Sequence, residues 1–159
     1  MKAVIQRVRN ANCTVDGKVT GEIDKGMLVY FSVSKEDNMS MLNPFLDKMV
    51  RLRFFEDDDG KMNRSLKDVN GSILFISQFT LYADLSRGNR PDFAHAMNAT
   101  EAEKFYLSAI EILRHLGYNV STGIFGAHMH INYENDGPVT LILDSSDISS
   151  IKKLSLIES

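Results

Sequence analysis

"YENDGPVTLILD" (Tyr133–Asp144) poses the central question of topology: does the chain turn back here or run on? Its second half, Val139-Thr140-Leu141-Ile142-Leu143, is strand-like, with β-branched and apolar residues throughout. Gly137 and Pro138 stand directly before it. Proline donates no backbone N–H and is normally kept out of strand interiors. Two readings follow. Asn135, Asp136, Gly137 and Pro138 are all turn residues, so the segment can be a hairpin turn between "AHMHINYE" and "PVTLILD". Alternatively, Gly137 and Pro138 present bare backbone to something else.

Working outward, strands dominate. "KAVIQRV" (Lys2–Val8) reads as a first strand, and "NCTVDGKVTGEI" has strand residues on both sides of Asp16-Gly17, a hairpin signal. "GMLVYFSV" (Gly26–Val33) is an almost unbroken apolar run and predicts a buried strand. "SILFISQFTLY" (Ser72–Tyr82) predicts another. A helix is expected over roughly Ser40 to Leu52, with Met41, Phe45, Met49 and Leu52 on one face, Asn43 as N-cap and Pro44 at the first helical position. The second helix, Thr100 to Leu116, has capping-box spacing at Thr100 and Glu103, less typically at Asn98 and Glu101. Ala102, Phe105, Tyr106, Ala109, Leu113 and Leu116 form its core face, and Gly117 is its stop. A short terminal helix is expected around Ile148, Ile151 and Leu154. The fold class is α/β: a strand-rich curved, barrel-like or two-layer sheet with two main helices packed on it. It forms one domain over residues 1–159, with 145–159 as a C-terminal extension.

The totals narrow the function. The 159 residues, 43% hydrophobic and 25% charged, suit a globular domain with a real core. No apolar run reaches the ~20 residues that cross a membrane, and no signal peptide is evident, so a cytoplasmic location is expected. Cys13 is the only cysteine, which excludes an intrachain disulfide, and it reads as a small packed residue. A net charge of −3 gives no global attraction to nucleic acid, so an RNA partner requires a local basic patch. Arg87 and Arg90 in "SRGNRPDF", and Lys61, Arg64 and Lys67 upstream, are the candidate clusters.

Familiar catalytic motifs are missing. There is no phosphate-binding loop, dinucleotide fingerprint or serine-hydrolase elbow. "DDDGKMN" (Asp57–Asn63) lacks the spacing of a calcium loop and reads as a solvated turn. His128 and His130 would share a strand face, but no further metal ligands accompany them, so no metal is expected. His95 and His115 read as ordinary surface or helix residues. "SQFT" (Ser77–Thr80) offers two hydroxyls without an identifiable base, and backbone N–H groups at that strand's end could stabilise an oxyanion instead.

"QRV" (Gln6–Val8), "LRFFEDDDGKMNRSLKDV", "SQFTLYAD", "GNRPDF", "GIFGAHMH" and "NDGPVT" (Asn135–Thr140) lie in order along the chain. Together they resemble the D-aminoacyl-tRNA deacylase family, whose signatures S-Q-x-T-L and N-x-G-P-x-T are both complete here. The resemblance implies a hydrolase that cleaves the ester of D-aminoacyl-tRNA, and also of glycyl-tRNA mischarged on tRNA(Ala). It implies a homodimer in which Gly137 and Pro138, joined by a cis peptide, enter the partner's active site and exclude L substrates with their carbonyls. It implies a catalytic pocket of Ser77, Gln78, Phe79 and Thr80, with Phe125, Ala127 and Met129 binding substrate. Arg7 would support the Gly-Pro loop, Arg87 and Arg90 would contact tRNA, and no cofactor is implied. Thr80 is the motif's natural nucleophile candidate, but the missing base favours backbone N–H groups of Phe79 and Thr80 with attack by water assisted by the RNA. The rival functions are an L-specific deacylase with a trans Gly-Pro bond and a non-catalytic, dimeric RNA-binding protein.

Overall fold

In the computed structural model, residues 1–155 are described, without the side chains of 153–155. The expected side chain of Leu154 and residues 156–159 of the extension lie outside the described residues. The strands are β1 (Lys2–Val15), β2 (Lys18–Ile23), β3 (Gly26–Ser32), β4 (Phe55–Glu56), β5 (Met62–Arg64), β6 (Ser72–Ser77), β7 (Val120–Thr122) and β8 (His130–Asp144). The helices are α1 (Leu42–Val50), α2 (Ala99–His115) and the short α3 (Ser149–Ser155).

β1 organises the sheet. β8 pairs antiparallel along one edge of it, from Lys2 to Thr14. β3 and β2 share the other edge, β3 at Lys2–Val8 and β2 at Ala11–Val15. β3 continues in parallel to β6, and β6 to β7. The hairpin between β1 and β2 turns at Asp16 and Gly17, whose φ values of 50° and 75° are those of a two-residue turn matched to strand twist. The sheet then curls until β2 meets β7. Ser121 Oγ donates to Glu22 O at 2.8 Å, and a Cβ on Gly21 would stand 2.4 Å from Thr122 O. Glycine is what lets these two backbones approach. The result is a nearly closed, barrel-like sheet.

Its two faces hold two cores. Met27, Val29 and Phe31 of β3, with Ile73 and Phe75 of β6, face α1 and α2. Leu28, Leu74 and Ile76 face the inside of the curl with Val8, Ala11, Cys13 and Ile23. A strand covered on both sides needs apolar residues at successive positions, which explains the unbroken run in β3. Cys13 is fully buried there, as a packed residue.

Several expectations change in detail. The hairpin-turn reading of Asn135–Pro138 fails: β8 runs through the Gly-Pro pair without reversing. The expected strand over Ser72–Tyr82 stops at Ser77, and Phe79–Tyr82 form a 3-10 helix. Asn43 is not the N-cap of α1, because a 3-10 turn (Met39–Met41) leads into a helix that already starts at Leu42. Pro44 still falls in the first helical turn, where its missing N–H has no intrahelical acceptor to lose. Met41, Phe45 and Met49 are buried as expected, and the helix ends at Val50, before Leu52. α2 uses the less typical cap: Asn98 Oδ1 accepts from Glu101 N at 3.1 Å. Its core face gains Ile110, while Leu116 is exposed. At Gly117, φ is +87°, Gly117 N donates to Arg114 O and Tyr118 N to Leu113 O, closing a Schellman motif. Ile148, just before α3, and Ile151 within it pack into the helix-side core.

Candidate active site

β6 ends at Ser77 beside the end of β3, where Gln78 N donates to Phe31 O at 2.8 Å. Beyond this bond the chain bends into the 3-10 helix Phe79–Tyr82. The first residues of such a helix have amides with no intrahelical acceptor, so the N–H groups of Phe79 and Thr80 begin it unpaired within the helix.

A cavity of about 470 Å³ opens at this point. Ser77, Gln78 and Phe79 line one side of it, and Phe125, Ala127 and Met129 of the loop between β7 and β8 line another. Tyr106 of α2 closes the helix side, its hydroxyl donating to Phe75 O at 2.8 Å and its ring 5.7 Å from Phe125. Burial pushes that hydroxyl's pKa above its ordinary value, so it stays protonated as a donor. Phe79 is 56% exposed at the mouth and packs edge-on against Phe93 at 5.0 Å. Among the described residues no carboxylate lines the cavity.

Six of the expected site residues therefore meet in one place, and the others do not. Thr80 does not line the cavity, and Gln78 Nε2 donates to its Oγ1. His128, considered from the sequence only as a metal ligand, lies on the cavity rim with its ring 5.0 Å from that of His130. The expected strand there begins only at His130. Among the described residues no group of three or more His, Cys, Asp or Glu side chains could hold a metal.

Gly137 and Pro138 lie on β8, exposed and outside this chain's own cavity, and the peptide between them is cis. Gly137 has a φ of +128°, and a Cβ there would stand 2.8 Å from Val139 Cγ2 and 3.0 Å from Arg7 Nη2. Arg7 is buried beneath the pair. Its guanidinium donates to Phe54 O at 2.9 Å, Asp136 O at 3.1 Å and Glu56 Oε1 at 3.2 Å, and contacts the Asp136 carboxylate at 3.2 Å.

Arg87 and Arg90 sit on an exposed loop whose base is closed by Asp84 N to Asp92 O (2.7 Å) and Asp92 N to Asp84 O (3.1 Å). Among the described residues neither arginine forms an ion pair, whereas Arg64 of the other basic cluster pairs with Asp58 at 2.8 Å. Hydrogen bonds from Ser86 hold the Asp84 carboxyl below the usual aspartate range. In "DDDGKMN", Asp57 accepts from Asp59 N, Lys61 N and Asn63 Nδ2, which organises the solvated turn from within.

Comparison with known proteins adds to this geometry. The profile of the D-Tyr-tRNA(Tyr) deacylase family matches residues 4–144. The chain belongs to this family. A D-aminoacyl-tRNA deacylase of Fervidobacterium nodosum is 50% identical over 148 residues, covering 93% of this chain and 99% of the relative. One of Deinococcus radiodurans is 51% identical over 144 residues, covering 91% and 99%. Among solved structures, the c-Myc DNA Unwinding Element Binding Protein superposes with a TM-score of 0.85 at 42% identity, over 91% of this chain and 98% of that one. "A probable eukaryotic D-amino acid tRNA deacylase" shares the fold, with a TM-score of 0.72 at 16% identity over 90% and 98%. The family places the chain among hydrolases that act on an ester bond.

Proposed function

We propose that this protein hydrolyses the ester of D-aminoacyl-tRNA in the cytoplasm, releasing the amino acid and the tRNA. The observation that carries this is the cavity at the end of β6. Among the described residues it is lined mainly by aromatic and apolar side chains, with Ser77, Gln78 and His128 but no carboxylate, and it meets a 3-10 helix that opens on the amides of Phe79 and Thr80. An aminoacyl ester is already activated, so a site that holds its carbonyl and stabilises the developing oxyanion does much of the chemistry. The neighbouring ribose hydroxyl assists the attacking water. The aromatic walls suit the terminal nucleoside of the acceptor end, with the amino acid's side chain left at the mouth.

Handedness is sensed by the carbonyls of Gly137 and Pro138, supplied by a second copy of the chain. Both residues are exposed, and Arg7 is bonded beneath them. Among the described residues β8 pairs with β1 alone, so its other edge is open, and Ile142 is 76% exposed on it. A long strand edge with apolar side chains calls for cover, which a second protomer provides. Glycine has no side chain to exclude, so glycyl-tRNA, including that mischarged on tRNA(Ala), is a substrate as well. Arg87 and Arg90 contact the tRNA phosphates.

Incubation with matched D- and L-aminoacyl-tRNAs tests the proposal. Release of the D-amino acid alone is expected. Preferential release of the L form, or binding without release, would overturn it.

A further inference from the structure

β1 and β8 keep unequal counts where they pass the Gly-Pro pair. Gln6 pairs with Thr140 and Val8 with Asn135, so Arg7 alone stands opposite residues 136, 137, 138 and 139. The ladder is broken there, and Pro138 has no N–H to contribute. One side chain spans the gap. Asn135 Nδ2 donates to Arg7 O at 2.9 Å and to Val139 O at 3.1 Å. The two hydrogens of one amide thus tie Val139, the last residue of the excursion, to the residue just before it, and both to β1. From the other strand, Arg7 Nε donates to Asp136 O. Gly137 and Pro138 are exposed between these fastenings.

We infer that Asn135 is a positioning residue for the Gly137 and Pro138 carbonyls, and through them a determinant of D-over-L discrimination. The inference rests on the reading that those carbonyls exclude L substrates. A selector works by keeping its shape against the ligand it rejects, so the bonds that fix its two ends matter as much as the groups that touch substrate. Asparagine is suited to the position because its amide offers two donors to two carbonyls. An isosteric carboxylate offers none and faces both oxygens with like charge. Asn135 touches neither the cavity nor the ester, so its loss should spare hydrolysis of the correct substrate.

The test compares Asn135→Asp and Asn135→Ala with the unaltered protein, using kcat/KM on paired D- and L-aminoacyl-tRNAs well below each variant's Tm. Arg9→Ala is the control: Arg9 meets Asp136 and Glu134 only from the exposed side. For both Asn135 variants the L-substrate kcat/KM should rise about tenfold, as expected for losing hydrogen bonds of ordinary strength, while the D-substrate value stays within about threefold. The control should keep its D/L ratio. An unchanged ratio in both Asn135 variants, whatever happens to Tm, would overturn the inference while leaving the deacylase reading intact. An unaltered protein without any preference for handedness would instead sink the underlying reading, and this inference with it.

Discussion

The cavity at the end of β6 and the excursion on β8 are opposite kinds of structure. The cavity is recessed and walled by Phe125, Tyr106 and Ile76, with the polar side chains of Ser77, Gln78 and His128 on its lining and the start of a 3-10 helix beside it. The excursion is exposed and is held from beneath by a buried arginine and a bridging asparagine. One region is recessed and the other is exposed on a strand. Within a single chain they do not meet, since neither Gly137 nor Pro138 lines the cavity. Under the proposed function, hydrolysis and discrimination fall to separate elements, and mutations should separate them.

The sharpest way to break the contrast is Gly137→Ala. A side chain at φ +128° is strained, and its Cβ would stand 2.8 Å from Val139 Cγ2. Strain of this kind costs about 1–3 kcal/mol, so the excursion should shift and the D-over-L ratio should fall about 10–100-fold. Paired single-turnover assays on the two substrates read this directly. A ratio that survives the substitution would remove the excursion from discrimination.

Phe125→Ala strikes the other region. The ring packs beside Tyr106 on the cavity wall, and its removal takes away apolar contact of about 1–2 kcal/mol. KM should rise about 5–30-fold for the D substrate, with kcat less affected and the D-over-L ratio preserved. A changed ratio with a constant KM would mean that the two regions are not separable.

The basic loop lies outside both. Reversing Arg87 and Arg90 to Glu should lower the slope of log K against log salt by about 0.7–0.9 per lost phosphate contact, measured by tRNA binding over a salt series. Acid acts on the same loop through Asp84. Its carboxyl titrates below the ordinary aspartate range because Ser86 bonds the charged form. That stabilisation is present above about pH 4 and is lost as pH falls through the lower folded value. Proteolysis at residues 86–90 should accelerate only below that range.

Much of the scaffold could be read because its causes are local. β3 and β6 are covered on both faces and so are apolar at successive positions, while Asp16-Gly17 and Gly117 sit at positive φ where the chain turns or stops. The misreadings share a different cause. Asn-Asp-Gly-Pro has the same composition whether it reverses a chain or bulges from a strand. Only pairing with β1, more than a hundred residues away, separates the two. The end of β6 is likewise set by Gln78 N reaching Phe31 O, a contact between segments distant in sequence. At the site, Ser77, Gln78 and Phe79 could be found by their resemblance to a motif, but amides carry no side-chain signature. His128 reads from sequence as a strand residue beside His130, but it precedes β8, and its place on the rim depends on a loop.

The smallest effect is expected at the residue that looks most like a nucleophile. Thr80 bears a hydroxyl within the S-Q-x-T-L motif, yet it does not line the cavity. Its Oγ1 is engaged by Gln78 Nε2 on the exposed side of the 3-10 helix. A nucleophile needs a base in reach and an open approach to the carbonyl, and this hydroxyl is occupied by an amide that cannot take its proton. Under the proposed function Thr80 contributes its place at the start of the helix, where its N–H has no intrahelical acceptor, and alanine supplies the same N–H. Thr80→Ala should therefore lower kcat by no more than about threefold, against the 10²–10³-fold typical of losing an oxyanion donor. Single-turnover deacylation with an intact fold and unchanged tRNA binding measures it. Abolished turnover would return the hydroxyl to the mechanism and transfer the chemistry from main chain to side chain.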